Sequence, residues 1–310
     1  LNTLPITVFF PEQRDDAARF RGLELFDARR ERVVARVRDP LVRFYWTREF
    51  PAYGASFAAE VVAPVQNKVA AVLTSPVLRG ILGQKRSTVT AREIMDNRRI
   101  FVANVAKGCI GEDASAMLGA VLTSSFQLAA YARAAMPPAA RNPFTLVIDE
   151  FASFVSESFA ELLAESRKYG LGLVLSHQYL AQLDEGLRAA LLGNAGTLVA
   201  FRLGADDADE IGREFTPEVG SEDLVRLARH QVALRLTVEG VSTRAFTATT
   251  LAPEAELVGR AGTIRAISGE RYGRPRALVE EEIACELGVA PTGASRRASM
   301  PGMNLRLPLQ

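Results

Sequence analysis

FTLVIDEF at residues 144–151 and LGLVLSHQ at residues 171–178 decide the fold of this 310-residue chain. Each is a short apolar run followed by polar residues, the pattern of a strand buried on both faces of a parallel sheet. Residues 156–169, between them, have helical spacing, with Phe159 and Leu162 on the apolar side. The three segments together predict a β-α-β unit with a right-handed crossover.

Further elements extend this pattern on both sides. We expect a strand at residues 100–105 (IFVANV), a buried helix at 114–135, a helix at 179–192 and a strand at 197–203. Strands that alternate with helices indicate an α/β fold with a parallel sheet. Ligands of such sheets bind where the strands end, so the residues that follow each strand are the candidates for a functional site.

The flanking regions have different patterns. The first 98 residues show amphipathic helical spacing and no strand series, which predicts a helical subdomain. Residues 231–238 and 242–249 alternate around Glu239-Gly240, which predicts a C-terminal β-hairpin. The expected divisions are a helical subdomain at 1–98, the core at 99–250, a C-terminal extension at 251–286 and a disordered tail at 287–310.

Composition excludes several classes of protein. The 37 basic and 36 acidic residues give a net charge of +1, which excludes a histone-like polycation. Residues 114–136 are interrupted by Arg133 and other polar groups, and so lack the ~18 uninterrupted apolar residues of a membrane span. Cys109 and Cys285 lack metal-ligand spacing, which favours free thiols in a reducing compartment. We therefore expect a cytoplasmic protein. The alternative left open is a position at the inner membrane face, reached through partners or through a segment preceding Leu1.

Polar residues at two strand ends suggest nucleotide chemistry. Asp149 and Glu150 directly follow one strand. In a nucleoside triphosphatase, an Asp here holds the water shell of Mg²⁺ and a Glu polarises the attacking water. Gln178, which follows the next strand, could reach the γ-phosphate or that water. The alternative is a strand end with exposed acids and no catalytic role. His177 fits a structural role, because no Ser or Cys nucleophile motif accompanies it.

Basic residues form a second group of candidates. Arg167 and Lys168 end a helix, where the helix dipole favours cations whatever their role. The alternative is an arginine finger that enters the nucleotide site of a neighbouring subunit. Arg202, near the end of the strand at 197–203, is a further cation expected at the same sheet edge.

The order strand-Asp-Glu, helix-Arg-Lys-x-Gly, strand-x-x-Gln resembles the FtsK/HerA superfamily of hexameric DNA-pumping ATPases. It is most similar to the conjugative type IV secretion branch, the coupling proteins of the TraG/TraD kind. The residues that carry the resemblance are FTLVIDEF at 144–151, ESRKYGLGLVLSHQYLAQL at 165–183 and FRLGADDA at 201–208. The likeness extends from about residue 31 to 283 and is strongest from 99 to 210. It implies a RecA-like P-loop NTPase core.

The resemblance also implies roles for individual residues. Asp149 would act on Mg²⁺ through water, Glu150 as the catalytic base and Gln178 as the γ-phosphate sensor. Arg167 would be the trans-acting finger, and Lys168 and Arg202 weaker candidates at the nucleotide or subunit edge. The implied cofactors are ATP and Mg²⁺. The implied partners are further copies in a hexameric ring, DNA bound without sequence specificity, and secretion-channel or membrane components.

One element of the family pattern, the phosphate-binding loop G-x-x-x-x-G-K-[ST], is absent from this sequence. Gly83 to Ser87 has the residue types without the spacing, and Gly108 to Gly111 is too short. We therefore expect the C-terminal part of a longer ATPase, with Leu1 at the break. On its own, this part would neither bind ATP tightly nor hydrolyse it.

The full-length protein would then be an ATP-driven DNA translocase, or type IV secretion coupling ATPase. Two alternatives stay open at this point. One is a degenerate, non-hydrolysing adaptor of a secretion or mobile-element system, which the missing P-loop favours. The other is a different α/β nucleotide-binding enzyme, such as a RecA-like helicase.

Overall fold

The computed structural model describes residues 31, 33–155, 159–252 and 259–287. The chain divides into two compact units, residues 1–87 with 274–310 and residues 88–273. The α-helices of the described residues are α1 (Pro40–Phe44), α2 (Ala55–Thr74), α3 (Pro76–Leu82), α4 (Ala91–Asp96), α5 (Lys107–Ile110), α6 (Glu112–Ala132), α7 (Phe159–Glu165), α8 (Glu185–Asn194), α9 (Ala205–Ile211), α10 (Ser221–Arg226), α11 (Ala261–Tyr272) and α12 (Arg276–Leu287). The strands are β1 (Phe144–Ile148), β2 (Leu171–Leu175), β3 (Leu198–Ala200), β4 (Gln231–Arg235), β5 (Thr237–Val238), β6 (Val241–Ser242) and β7 (Phe246–Thr249).

The first unit is helical in its described residues. Within the predicted helical subdomain, α2 ends at Thr74 and α3 begins at Pro76, whose fixed φ suits the first turn of a helix. The Ser75 hydroxyl caps α3 by accepting a hydrogen bond from the Leu78 amide at 3.4 Å. Residues 1–30, the start of the predicted helical subdomain, lie outside the described residues, as does the predicted tail beyond residue 287.

The second unit contains the predicted β-α-β unit. β1 pairs with β2 in parallel, with Phe144 opposite Leu171 and Ile148 opposite Leu175. The crossover includes α7 and a 3-10 turn at Ser166–Tyr169, which ends at Gly170 with φ 70°. Glycine has no Cβ and adopts this left-handed conformation without steric cost, as expected for a helix C-cap. The edge of the parallel sheet at which β1 and β2 end is therefore where the sequence predicted it.

The parallel sheet is smaller than the sequence predicted, and the strand expected at 100–105 is wrong. These residues are all described and pair with no other described strand. Ile100 is 95% and Val102 87% exposed, so the apolar run is not buried. Instead of pairing with a strand, the Val105 carbonyl accepts a hydrogen bond from the Ser115 hydroxyl at 2.5 Å.

The fourth predicted strand is present but lies in a different sheet. β3 pairs antiparallel with β4, which also pairs with β7. Ala200 of β3 and Ala233 of β4 belong to one buried cluster with Phe215 and Leu224. Burial of this apolar face stabilises the antiparallel arrangement.

The predicted hairpin is confirmed. β5 and β6 pair antiparallel around Glu239 and Gly240, whose φ angles are 51° and 82°. Two consecutive positive φ angles are the geometry that two-residue hairpin loops prefer.

The main core lies against the parallel sheet. Its buried aromatic and aliphatic side chains come from α6, β2 and the segments that follow β1 and β2, and include Phe126, Phe151, Phe159, Leu171 and Leu180. The expected helix at 114–135 is confirmed as α6 with a 3-10 turn at Arg133–Ala135. Among the described helices, none combines the length and the apolar character that crossing a bilayer requires.

Candidate functional site

Two polar side-chain pairs join the strand ends at the C-terminal edge of the parallel sheet. The Ser176 hydroxyl donates to Asp149 Oδ1 at 2.5 Å, and Gln178 Nε2 donates to Glu150 Oε1 at 2.5 Å. The parallel register makes this possible, because it brings residues that follow β1 beside residues that follow β2. We call these four residues the carboxylate edge. The structure therefore brings together the three residues predicted from the strand ends, Asp149, Glu150 and Gln178.

The backbone at this edge is held in an unusual conformation. Glu150 has φ 52° and ψ 42°, in the left-handed region that costs a non-glycine residue about 1–2 kcal/mol. The next residue, Phe151, is fully buried, and its amide donates to the Ser176 carbonyl at 3.0 Å. The core thus anchors the strained residue, and strain of this kind is concentrated at functional sites.

His177 is half-buried beneath the carboxylate edge. Its ring meets the Phe151 ring edge-on, with centroids 5.4 Å apart. Burial lowers the pKa of His177 below its usual value, although the charges of Asp207 and Glu150 oppose the shift. A neutral imidazole packed on an aromatic ring agrees with the structural role expected for it.

Asp207 is a residue that the sequence did not single out. Both of its carboxylate oxygens lie 3.3 Å from the Leu180 amide, which donates to them. Leu180 is buried, so the contact ties the loop that carries Gln178 to the first turn of α9. The only signal in the sequence was its place within FRLGADDA, which does not indicate this contact.

Arg167 and Lys168 lie at the opposite edge of the sheet, in the 3-10 turn that precedes β2. The five residues of β2 separate this turn from the carboxylate edge by roughly 16 Å, at about 3.3 Å per residue. The structure therefore does not bring Arg167 together with Glu150 inside one chain. Arg167 is exposed and forms no side-chain hydrogen bond or ion pair with the described residues.

Lys168 is paired within its own turn. Its ammonium group lies 2.5 Å from Glu165 Oε1 and 5.3 Å from the centre of the Tyr169 ring. The hydrogen bond between them lowers the pKa of Glu165 and raises the pKa of Lys168. This local pair leaves Arg167 as the freer cation of the turn.

Arg202 was expected at the same edge as the carboxylates. It follows β3, which pairs with β4 and not with β2, so the parallel sheet does not place it there. Arg202 is exposed, and its role stays a prediction.

Arg133 is a second residue whose importance the sequence did not reveal. Its side chain is fully buried and forms an ion pair with Asp96 at 3.0 Å. One terminal nitrogen also donates to the carbonyls of Asn142, at 2.9 Å, and Tyr169, at 3.2 Å. Arg133 thus connects the residues preceding β1 to those preceding β2. In the sequence it is only a charge that interrupts an apolar stretch.

A magnesium ion could be held at Asp149. Three or more clustered His, Cys, Asp or Glu side chains do not occur among the described residues. Mg²⁺, however, keeps most of its waters and needs only one or two carboxylates. Asp149 is exposed and accepts the Ser176 hydroxyl with one oxygen, and no donor among the described residues occupies its other oxygen. An oxygen donor set of this kind fits the ion.

A family model supports the resemblance predicted from the sequence. The model described as the TraM recognition site of TraD and TraG matches residues 143–242. This range contains both strands of the parallel sheet, the carboxylate edge and the hairpin turn. Similarity to the TraG/TraD-like branch of the P-loop ATPases is therefore confirmed for this part of the chain. No curated protein sequence matches the chain.

Solved structures share the fold. The plasmid coupling protein TrwB, in complex with the GTP analogue GDPNP, matches at 15% identity with a TM-score of 0.51. TrwB in complex with the ATP analogue ADPNP matches at 16% identity with a TM-score of 0.50. Each match covers 78% of this chain and 65% of that chain. The mixed α/β fold is thus similar to the core of TrwB, and the chain spans less than two thirds of the length of TrwB.

Proposed function

We propose that this chain is the water-activating part of a conjugative coupling ATPase, which hydrolyses ATP to move DNA once a P-loop completes its nucleotide site. One observation carries the proposal. Gln178, which follows β2, donates a hydrogen bond at 2.5 Å to the carboxylate of Glu150, which follows β1. Because the Gln178 amide and the Glu150 carboxylate contact each other, a phosphate group that binds the amide would also change the position of the carboxylate.

Glu150 is the proposed general base. Its side chain is partly exposed, so water can reach it, while its neighbour Phe151 is fixed in the core. A carboxylate held this way can accept a proton from an attacking water. Gln178 can orient Glu150 in one state and donate to a γ-phosphate oxygen in another, which would couple hydrolysis to the loop after β2.

Asp149 is the residue proposed to hold Mg²⁺, through a bound water. When bound, the ion would neutralise the charge that develops on the phosphates. The Ser176 hydroxyl fixes one oxygen of Asp149. It therefore limits the rotation of the carboxylate, while the exposed side chain of Asp149 stays accessible to a hydrated ion.

Arg167 is proposed to act on the nucleotide of a second copy. The length of β2 keeps it from the carboxylate edge of its own chain, and it has no described side-chain partner. An arginine supplied in trans requires a ring or another closed assembly, and a hexamer is the form we propose. Lys168 and Arg202 are lesser candidates at the same interface.

The proposed partners are DNA, bound through its phosphates, and a protein. The matching family model is described by TraM recognition in TraD and TraG. We therefore extend the proposal to a protein partner that contacts residues 143–242.

Removal of the proposed base tests the ATPase function. In the full-length protein, Glu150→Gln should lower ATP turnover about a hundredfold or more, since general base catalysis contributes about 10²–10⁴-fold. ATP affinity should not change, because the phosphates are held elsewhere. Glu270→Gln, the same change on an exposed position of α11, is the matched control and should leave turnover intact. Equal turnover in the two variants would refute the assignment.

A non-hydrolysing adaptor is the second candidate, and the absence of a P-loop from the sequence favours it. The two functions differ in the full-length protein. Calorimetry with Mg²⁺-ATP should show no tight binding to this chain alone, whichever is correct. Saturable binding and turnover by the full-length protein would exclude the adaptor, and their absence would establish it.

A further inference from the structure

Five cationic side chains gather at the sheet edge where β1 and β2 begin. They come from three segments: the residues that follow α4, the loop that precedes β1 and the turn that precedes β2. We call them the basic edge: Arg98, Arg99, Arg141, Arg167 and Lys168.

Hydrogen bonds connect the three segments. The Arg98 guanidinium donates to Asn142 Oδ1 at 3.1 and 2.8 Å. Asn142 Nδ2 in turn donates to the Asp96 carbonyl at 2.8 Å. The Arg141 guanidinium donates to the Lys168 carbonyl, which joins the β1 side to the β2 side. The cations therefore occupy one connected region of the second unit.

Little of this positive charge is neutralised. Arg98 and Arg141 donate to amide and carbonyl oxygens, which carry no formal charge. Arg99 and Arg167 form no side-chain hydrogen bond or ion pair within the described part of the chain. The carboxylates that pair here are already engaged, Asp96 by Arg133 and Arg92, and Glu165 by Lys168.

Arg98 is held in a conformation that glycine would adopt more easily. It has φ 52° where α4 ends. The Arg99 amide donates to the Ile94 carbonyl at 2.9 Å, the bond that closes a helix C-terminus around a left-handed residue. An arginine at this position carries strain that glycine would relieve, and residues held in this region are concentrated at functional sites.

We propose that the basic edge is a phosphate-binding surface. No described residue engages the donors of Arg99 or Arg167, and a guanidinium in that state can make bidentate contacts with phosphate oxygens. Arg98 and Arg141 use donors inside the protein and contribute mainly charge. The ligand is a chain of phosphate oxyanions, which can be a nucleic-acid backbone or the triphosphate of a nucleotide bound to a second copy. Both sources rest on the proposed function, which includes DNA bound through its phosphates and a nucleotide in a second copy.

Binding of a labelled single-stranded dT20 oligonucleotide tests the proposal on the chain as it exists. Its affinity, measured by fluorescence anisotropy at several salt concentrations, should fall as salt rises. Arg99→Ala and Arg167→Ala should each lower the affinity about fivefold at about 0.1 M salt and reduce the salt slope by about 0.7, the effect of one lost phosphate contact. Arg265→Ala, on an exposed position of α11, is the matched control and should change neither.

Arg98→Gly separates binding from folding. Because glycine relieves the left-handed strain, this variant should melt no lower than the wild type, while its affinity for dT20 falls. A lower affinity in a fully stable protein cannot come from misfolding.

Inorganic tripolyphosphate distinguishes the two sources. At equal ionic strength, tripolyphosphate and sulfate are compared as competitors of dT20. Stronger displacement by tripolyphosphate, if this advantage is lost in Arg99→Ala, would identify a triphosphate site. Displacement no better than by sulfate would identify the nucleic-acid backbone. The surface is refuted if neither probe binds at low salt, or if Arg265→Ala weakens binding as much as Arg99→Ala and Arg167→Ala. Turnover is not measured here, so failure of the ATPase proposal would leave this result unchanged.

Discussion

The two edges of the β1–β2 sheet are held in different ways. At the carboxylate edge, exposed side chains bond directly to each other across the strand ends, as Gln178 does to Glu150. At the basic edge, the buried Arg133 ties the backbone before β1 to the backbone before β2. The first edge therefore depends on strand register, and its bonds can exchange with a ligand. The basic edge depends on the buried charge of Arg133. Its backbone is held in place, and its exposed cations remain accessible to a ligand.

Loss of the buried charge should have the largest effect on stability. Arg133→Ala leaves Asp96 without its buried partner and opens space in the core. We expect the free energy of unfolding to fall by about 2–5 kcal/mol, because the carbonyls of Asn142 and Tyr169 lose their buried donor and a cavity replaces the side chain. Urea denaturation measures it.

Arg92→Ala is the matched control for that variant. Arg92 also pairs with Asp96, at 3.2 Å, but its side chain is 53% exposed. Exposed pairs contribute about 0–1 kcal/mol, so this change should be small. Similar losses in both variants would mean that the basic edge is not held by its buried arginine.

A substitution at the glycine before β2 should have a smaller effect. Gly170 has φ 70°, and a Cβ there would meet its neighbours no closer than 3.5 Å. The cost of Gly170→Ala is therefore conformational, about 1–2 kcal/mol. Gly193→Ala in α8, where nothing lies within 4 Å, should instead stabilise by up to about 1 kcal/mol. Two denaturation curves shifted in the same direction would contradict this account of the turn.

The smallest effect is expected from His177, beneath the carboxylate edge. Burial lowers its pKa below 6.5, so the folded state prefers the neutral ring. The stability it contributes is complete above pH about 6.5 and is lost as the pH falls through the lowered pKa. Wild type should therefore lose stability relative to His177→Gln between pH 7.5 and 5, by at most about 1.4 kcal/mol per pH unit. A difference independent of pH would show that burial does not disfavour the charged ring.

The sequence predicted the carboxylate edge better than the basic edge, for physical reasons. Apolar runs that end in polar residues mark strand ends, and a parallel register then brings those residues together. The same reasoning gave a wrong strand at 100–105, because apolar composition does not say whether a run finds a pairing partner. It also assigned β3 to the wrong sheet, since periodicity carries no information on the neighbour of a strand.

Burial of a charge is even harder to infer from sequence. Arg133 occurs once in an apolar stretch, and nothing local distinguishes a buried arginine from one that interrupts a helix face. Its partner Asp96 lies 37 positions away. The left-handed Glu150 and Arg98 likewise have no signal, because the residue types that usually adopt this conformation are absent from both positions.

The central claim is that the carboxylate edge of one copy and Arg167 of another form one catalytic centre. Mixing two inactive full-length variants, Glu150→Gln and Arg167→Ala, tests it directly. If the residues act across an interface, mixed assemblies contain some centres with both residues intact, and ATP turnover should return in part. A mixture as inactive as either variant alone, with exchange of subunits verified, would contradict the claim.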